Sequence, residues 1–209
     1  MVALLKSAGM ELSKWCSNHP VILSQLPDSM KQQFIQFNQE DDCTVKALGM
    51  FWQPTTDKFL FQIEKTVENR LLCKRQVLSE LASLFDPLGL LGPTIVKAKI
   101  FMQQLWQKSL EWNQELSAED SVLWKKFQDE LVGINDIRID RCLSTLKNVI
   151  QYQLHGFSDA SEIAFGACVY LRAVTNNDQV STQLICSKSR VAPLKQLTIP
   201  RLELCGRFC

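Results

Sequence analysis

The sequence predicts an α+β fold: a largely helical section carrying a β-hairpin, then three antiparallel strands and a helix. Two observations lead there. Apart from a β-rich stretch between residues 45 and 63, apolar residues recur with the helical period of 3.6 up to Arg138, and with the strand period of two afterwards. Turn chemistry at Asn176-Asn177-Asp178 and a helix-opening proline, Pro200, then punctuate the second section as a meander feeding a helix would require.

Taken in order, Leu4, Leu5, Ala8, Leu12, Trp15 and Cys16 recur at helical spacing. Met30, Phe34, Ile35 and Phe37 do so after Pro27-Asp28-Ser29, whose Asp or Ser can cap, so two short helices are expected to open the chain. Residues 45 to 52 and 59 to 63 are β-rich, with Phe59, Phe61 and Ile63 on one face, and Pro54-Thr55-Thr56-Asp57 joins them as a hairpin turn. Val77, Leu78, Leu81, Ala82, Leu84 and Phe85 mark a helix that begins at Lys74. Asp86-Pro87-Leu88-Gly89 ends it, because the residue before proline is pushed out of the α region.

Pro93 opens the next helix, with Ile95, Val96, Phe101, Met102, Leu105 and Trp106 as its apolar positions. Ser117 can cap a third, where Asp120 suits the helix dipole and the buried stripe is Leu123, Trp124, Phe127, Leu131 and Ile134. Trp15, Trp52, Trp106, Trp112 and Trp124 read as core or interface anchors. The strands follow: Ile150, Tyr152 and Leu154 on a first, residues 164 to 171 on a second, and residues 182 to 186 on a third. The polar segment from 138 to 148, with Arg138, Asp140, Arg141 and Lys147, is the candidate boundary between two structural units.

Composition excludes several classes. With 23 Lys and Arg against 22 Asp and Glu over 209 residues, the net charge of +1 creates no global field toward nucleic acid or a membrane surface, so any such contact must be local. Eight cysteines (16, 43, 73, 142, 168, 186, 205 and 209) form no C-x-x-C pair and the only histidines are His19 and His155, which argues against a zinc site and for free thiols in a reducing compartment. The apolar runs are too short and too broken by Gly and Pro to cross a bilayer, and the N-terminus lacks a signal peptide's charge and cleavage pattern. The expected location is intracellular, cytoplasmic or nuclear, with no membrane partner.

Chemistry concentrates near the end. His155-Gly156-Phe157-Ser158-Asp159-Ala160-Ser161 places one carboxylate at a strand end, and Pro200-Arg201-Leu202-Glu203-Leu204 places a second in the first turn of a helix. Converging carboxylates are hard oxygen ligands that favour Mg²⁺ or Mn²⁺, and a metal pair clamps the attacking and leaving oxygens in phosphodiester hydrolysis. By themselves the residues also fit a blander reading, in which Asp159 is a turn residue and Glu203 complements the helix dipole. Lys188, Arg190, Lys195 and Arg201 follow one another with no acidic residue between them, which suits phosphate contacts or a solvated loop alike. His155 reads as an ordinary strand residue. Asp41-Asp42, next to Gln39-Glu40, reads as a solvated turn rather than as a polymerase acid pair.

Several runs together carry a resemblance. They are Leu12-Ser13-Lys14-Trp15 with Ser17-Asn18, Lys46-Ala47-Leu48-Gly49-Met50-Phe51-Trp52, Lys74-Arg75-Gln76-Val77-Leu78-Ser79, Phe85-Asp86-Pro87-Leu88-Gly89, residues 155 to 161, and Ser187-Lys188-Ser189-Arg190-Val191-Ala192-Pro193 up to Leu204. In that order, and over nearly the whole chain, they resemble the Pol polyprotein of BEL/Pao-type LTR retrotransposons. The resemblance implies that residues 1–66 are the end of a reverse transcriptase palm or thumb with its hairpin and residues 67–147 a helical connection. Residues 148–209 would then be the opening of a ribonuclease H-like domain, three antiparallel strands and a helix.

It further implies that Asp159 and Glu203 are the first two catalytic and metal-binding carboxylates and that the parent's cofactor is Mg²⁺ or Mn²⁺. The parent's partner would be an RNA–DNA hybrid or duplex, met here by Lys188, Arg190, Lys195 and Arg201. A Tyr-x-Asp-Asp polymerase motif and two further nuclease acids do not occur in the sequence, so this polypeptide alone is expected to be inactive, with little or no tightly held metal. The alternative is a non-catalytic nucleic-acid-binding or structural remnant. Gly206-Arg207-Phe208-Cys209 departs from the small-residue, leucine-rich continuation of the family. No Asp-Thr-Gly or Asp-Ser-Gly is present, so the peptidase name carried by this part of such polyproteins is not expected to apply. An open sheet edge in residues 149 to 209 is expected to weaken that part or make it aggregate.

Overall fold

A computed structural model describes residues 2–32, 35–36, 43–47, 50–63 and 71–209. Contacts divide the chain into two units, Met1–Gln62 with Asn135–Cys142, and Ile63–Ile134 with Leu143–Cys209. The mixture of helix and sheet agrees with the α+β class.

In the first unit, α1 (Val2–Ser7) stops well short of the helix expected through Cys16. Gly9 takes φ +73°, and the amides of Ala8 and Met10 both return to the Leu5 carbonyl, a left-handed helix termination that glycine adopts without strain. Trp15 instead pairs with Lys31 as an isolated parallel bridge. The second expected helix is also absent as such: α2 is Pro20–Ser24, opened by its proline, while Asp28–Met30 makes one 3₁₀ turn and Ile35 lies in a strand. Phe34, Phe37 and the Asp41-Asp42 pair lie outside the described residues.

A five-stranded antiparallel sheet runs in the order β1 (Ile35–Gln36), β2 (Cys43–Ala47), β3 (Met50–Gln53), β4 (Lys58–Leu60) and β5 (Arg138–Asp140). The expected hairpin at residues 54 to 57 is its β3–β4 link, and what reads as one β-rich run from 45 to 52 is split between two strands. β5 is tied back by Arg141, whose guanidinium makes two hydrogen bonds to Asp57 (2.6 and 3.0 Å) and lies over the Trp52 ring.

The second unit packs α3 (Lys74–Ser83), α4 (Gly92–Gln107) and α5 (Ala118–Leu131) around Leu72, Val77, Ala98, Met102, Leu105, Leu116 and Trp124. Ser117 caps α5 as expected, accepting the Asp120 amide, and the buried Asp120 carboxylate takes two hydrogen bonds from Lys108 at 2.7 Å. Burial alone would raise the Asp120 pKa, but the bonds from Lys108 and Ser117 outweigh it and hold the carboxyl below its ordinary value. Leu123, expected in the stripe, is 57% exposed, while Trp124 is 2% exposed. Trp124 sits where the helix meets α3, and its indole N–H donates to Glu80 at 2.7 Å.

Three long strands, β6 (Val149–Ala160), β7 (Ala164–Thr175) and β8 (Val180–Val191), form an antiparallel meander in that order, and α6 (Ile199–Arg207) follows, with Pro200 in its first turn. Each strand outruns the stretch whose alternation announces it. α6 packs on β6 and β7 through the buried Leu202 and Gly206. α4 packs on β8.

Candidate metal and nucleic-acid site

β6 carries Asp159 to its last turn of pleat. There Asp159 pairs with Gly166, which pairs with Ser189, while Phe157 pairs with Cys168, which pairs with Ser187. Paired residues share a face of the sheet. The Ser187 hydroxyl donates to the Gly89 carbonyl and the Ser189 hydroxyl to the Gly92 carbonyl, so this face looks at the start of α4, and the Asp159 side chain leaves the sheet on that side. Asp159 Oδ1 accepts the Ala160 amide at 2.8 Å. With Pro93, Phe157, Cys168 and Ser189, Asp159 borders a cleft of about 300 Å³.

The opposite face belongs to α6. A Cβ on Gly206 would lie 3.6 Å from the Ser158 Cβ and 3.5 Å from the Asp159 carbonyl oxygen, so the helix touches the backbone of the strand that bears the acid. Glu203 is exposed and precedes Gly206 by three residues, about 60° away around the helix at 100° per residue. The structure thus brings the two carboxylate-bearing segments into contact, with Asp159 directed to the α4 face and Glu203 carried by the helix on the other.

Among the described residues no group of three or more His, Cys, Asp or Glu gathers as a metal centre would need. Two carboxylates are the right donor chemistry for Mg²⁺, which is often held by one or two of them together with substrate phosphates, but too few for a closed protein cage.

All four expected phosphate-binding cations are exposed, and none forms an ion pair among the described residues. Lys188 and Arg190 alternate with Ser187 and Ser189 and therefore stand on the α6 face. Arg201 lies on α6 itself, two residues and about 200° from Glu203, so cation and acid occupy opposite flanks of the helix. Lys195 lies in the connection between β8 and α6. His155 is exposed, with Nε2 3.3 Å from Gln153 Oε1, as befits a strand residue.

The sequence reading missed the joint that sets β8 against α4. Asp86 does more than end α3: its two carboxylate oxygens accept the Leu90 and Leu91 amides at 2.9 and 2.7 Å and hold the turn that leads into α4. Gly89 takes φ +72°, and a Cβ there would fall 1.9 Å from the Ser187 carbonyl oxygen. The signal lay in Asp86-Pro87-Leu88-Gly89, an acid, a proline and a left-handed glycine in the short span between two helical patterns.

Three antiparallel strands feeding a helix, with an acid at the end of the first strand and another in the helix it touches, define the opening of a ribonuclease H-like fold. The family model described as the Pao retrotransposon-like RNaseH-like domain matches residues 73–209, and the chain belongs to that family. This part of it is a Pol region of a Pao-type retrotransposon. No curated protein matches the chain, and no helix among the described residues is long and apolar enough to cross a membrane.

Proposed function

We propose that this chain contributes a nucleic-acid-binding part of a retrotransposon Pol polyprotein, combining the end of a reverse transcriptase with a ribonuclease H-like segment. Its partner is an RNA–DNA hybrid or a duplex. Asp159 and Glu203 are two of the acidic ligands of its Mg²⁺ or Mn²⁺ centre, an assignment that requires the Asp159 carboxylate, directed to the α4 face in this structure, to turn around the strand end toward the α6 face that carries Glu203. The supporting observation is the contact of Gly206 with the Asp159 backbone, which sets the helix bearing Glu203 against the strand bearing Asp159. A bound cation would supply activation of the hydrolytic water and neutralise developing charge. The chain's own part is to present the two carboxylates and to hold phosphates with Lys188, Arg190, Lys195 and Arg201.

Because the described residues offer no third acid at the site, the proposal is binding without cleavage. The same observation favours a second reading, a non-catalytic remnant that keeps only the binding surface.

Anisotropy titrations of a labelled hybrid at rising salt test the reading. Four phosphate contacts give a log–log slope of roughly −3 to −4, and Lys188→Ala with Arg190→Ala should flatten it by about 2. A salt-independent affinity, or one indifferent to these substitutions, would sink the binding surface. Mg²⁺-dependent cleavage that disappears in Asp159→Asn would instead show a complete nuclease and overturn the proposed inactivity.

A further inference from the structure

Lys74 opens α3 and is 4% exposed, yet among the described residues its ammonium has neither a carboxylate nor any other hydrogen-bond acceptor. Two indoles stand beside it instead: Nζ lies 4.4 Å from the Trp106 ring centre and 5.6 Å from that of Trp112, and the two rings meet edge to face at 5.2 Å. A ring attracts the charge but offers no lone pairs to the three N–H donors of an ammonium. No fully buried side-chain nitrogen among the described residues lacks a partner, so Nζ sits at the surface end of a buried side chain, with its donors open to a ligand.

The first turn of α3 adds to the same positive spot. It holds no acid, and the amides of Lys74 and Gln76 have no acceptor among the described residues, while the Arg75 amide bonds to the Trp112 carbonyl at 3.1 Å. Arg75 is exposed, with Nε fixed on Asn113 Oδ1 at 2.9 Å and its terminal nitrogens unbonded among the described residues. Two cations at a helix N-terminus work against its dipole, a conflict that an anion seated there would relieve. The acids nearest in the chain, Glu111 and Glu115, are exposed and pair with neither cation. Glu115 faces Cys73 across an isolated bridge.

From this we infer that the start of α3 and the Trp106–Trp112 pair form a second nucleic-acid site, one for an unpaired strand. Lys74, Arg75 and the free amides hold a backbone phosphate, and the indoles, 48% and 40% exposed, take a neighbouring base. The chemistry selects this occupant: an anion and a flat π surface recur at every nucleotide of a single strand, whereas paired bases keep their faces to one another. The inference rests on the reading of the chain as a nucleic-acid-binding part of Pol, and adds a strand contact to the hybrid contact of Lys188 and Arg190.

Indole N–H resonances of the full chain, assigned by single Trp→Phe substitutions, read the site directly. A short poly-thymidine strand should move those of Trp106 and Trp112 and leave that of Trp124, buried and bonded to Glu80, in place. Inorganic phosphate alone should move neither, and equal shifts with phosphate would overturn the strand assignment. In anisotropy titrations of the labelled strand, Arg75→Ala should weaken binding about threefold to tenfold and flatten the salt slope by about 1. Trp106→Ala should weaken it by about tenfold, both variants keeping the parent's circular-dichroism spectrum. A strand that does not bind, that binds without moving Trp106 and Trp112, or that ignores Arg75→Ala overturns this site. Hybrid titrations of the Lys188→Ala and Arg190→Ala variant report the other surface separately, so either contact can fail while the other stands.

Discussion

Gly89→Ala is the sharpest test of the joint between α4 and β8. Two costs add. A side chain at φ +72° carries about 1–2 kcal/mol of backbone strain. The new Cβ would also sit 1.9 Å from the Ser187 carbonyl oxygen, 2.6 Å from its carbon and 2.9 Å from its hydroxyl oxygen. Backbone cannot yield as a flexible side-chain tip does, so β8 must move away. That movement breaks the Ser187 amide to Leu88 carbonyl bond of 2.8 Å and the Ser187 hydroxyl bond to Gly89, at about 1 kcal/mol each.

The sum is about 3–4 kcal/mol, which in a protein of this size corresponds to a fall of about 6–16 °C in the melting temperature of the second unit. Gly9→Ala is the control, since Gly9 has φ +73° with nothing within 4 Å of the added carbon, leaving only the backbone strain. Urea unfolding followed by tryptophan fluorescence measures both. If Gly89→Ala costs no more than Gly9→Ala, the close approach of Gly89 to β8 is not what holds the joint.

Two further outcomes follow from the side-chain networks. Arg141 bonded to Asp57 holds that carboxyl below its ordinary 3.8; burial opposes this, while the Trp52 indole bond and the Arg141 charge reinforce it. A lowered folded-state pKa gives stability that is present above the unfolded value and is lost as pH falls through the folded one. Asp57→Asn should therefore lower the urea midpoint of the first unit at about pH 6, and its difference from the parent should shrink as pH falls below the ordinary carboxyl value. Glu80 accepts Trp124 Nε1 and Gln128 Nε2 at 2.7 Å and Gln76 Nε2 at 2.9 Å, so Glu80→Ala strands a buried indole N–H and should cost about 1–3 kcal/mol in calorimetric unfolding.

What the sequence made legible was the elements whose signals are local and long. The helix at Ser117 declared itself through its cap and apolar stripe, and the meander through its alternation and the Asn176-Asn177-Asp178 turn, where Asp178 takes φ +57°. Helical spacing misled at both short N-terminal segments. Gly9 stops the first helix, and the pairing of Ile35 with Thr44 draws the second segment into a sheet, a tertiary contact that propensity cannot register. Leu123 misled for a related reason, since a stripe drawn at one-residue resolution does not fix which flank meets α3.

Asp159 and Glu203 were legible as types at a spacing. Their faces were not, because the side from which Asp159 leaves the sheet depends on register with β7 and β8 and on which face α6 covers. The Gly89 approach was hidden for the same reason, since Ser187, almost a hundred residues away, decides it.

The measurement closest to the central claim is a Mn²⁺ titration of the isotopically labelled chain, read as paramagnetic broadening of backbone amides with a nucleic-acid hybrid bound. If Asp159 and Glu203 are ligands of one cation site, the amides of Asp159, Gly166 and Glu203 should broaden first and together, and Asp159→Asn should abolish it while the spectrum stays folded. Broadening that begins elsewhere, or that reaches Glu203 unchanged in the Asp159→Asn variant, would show that the two carboxylates do not share an ion.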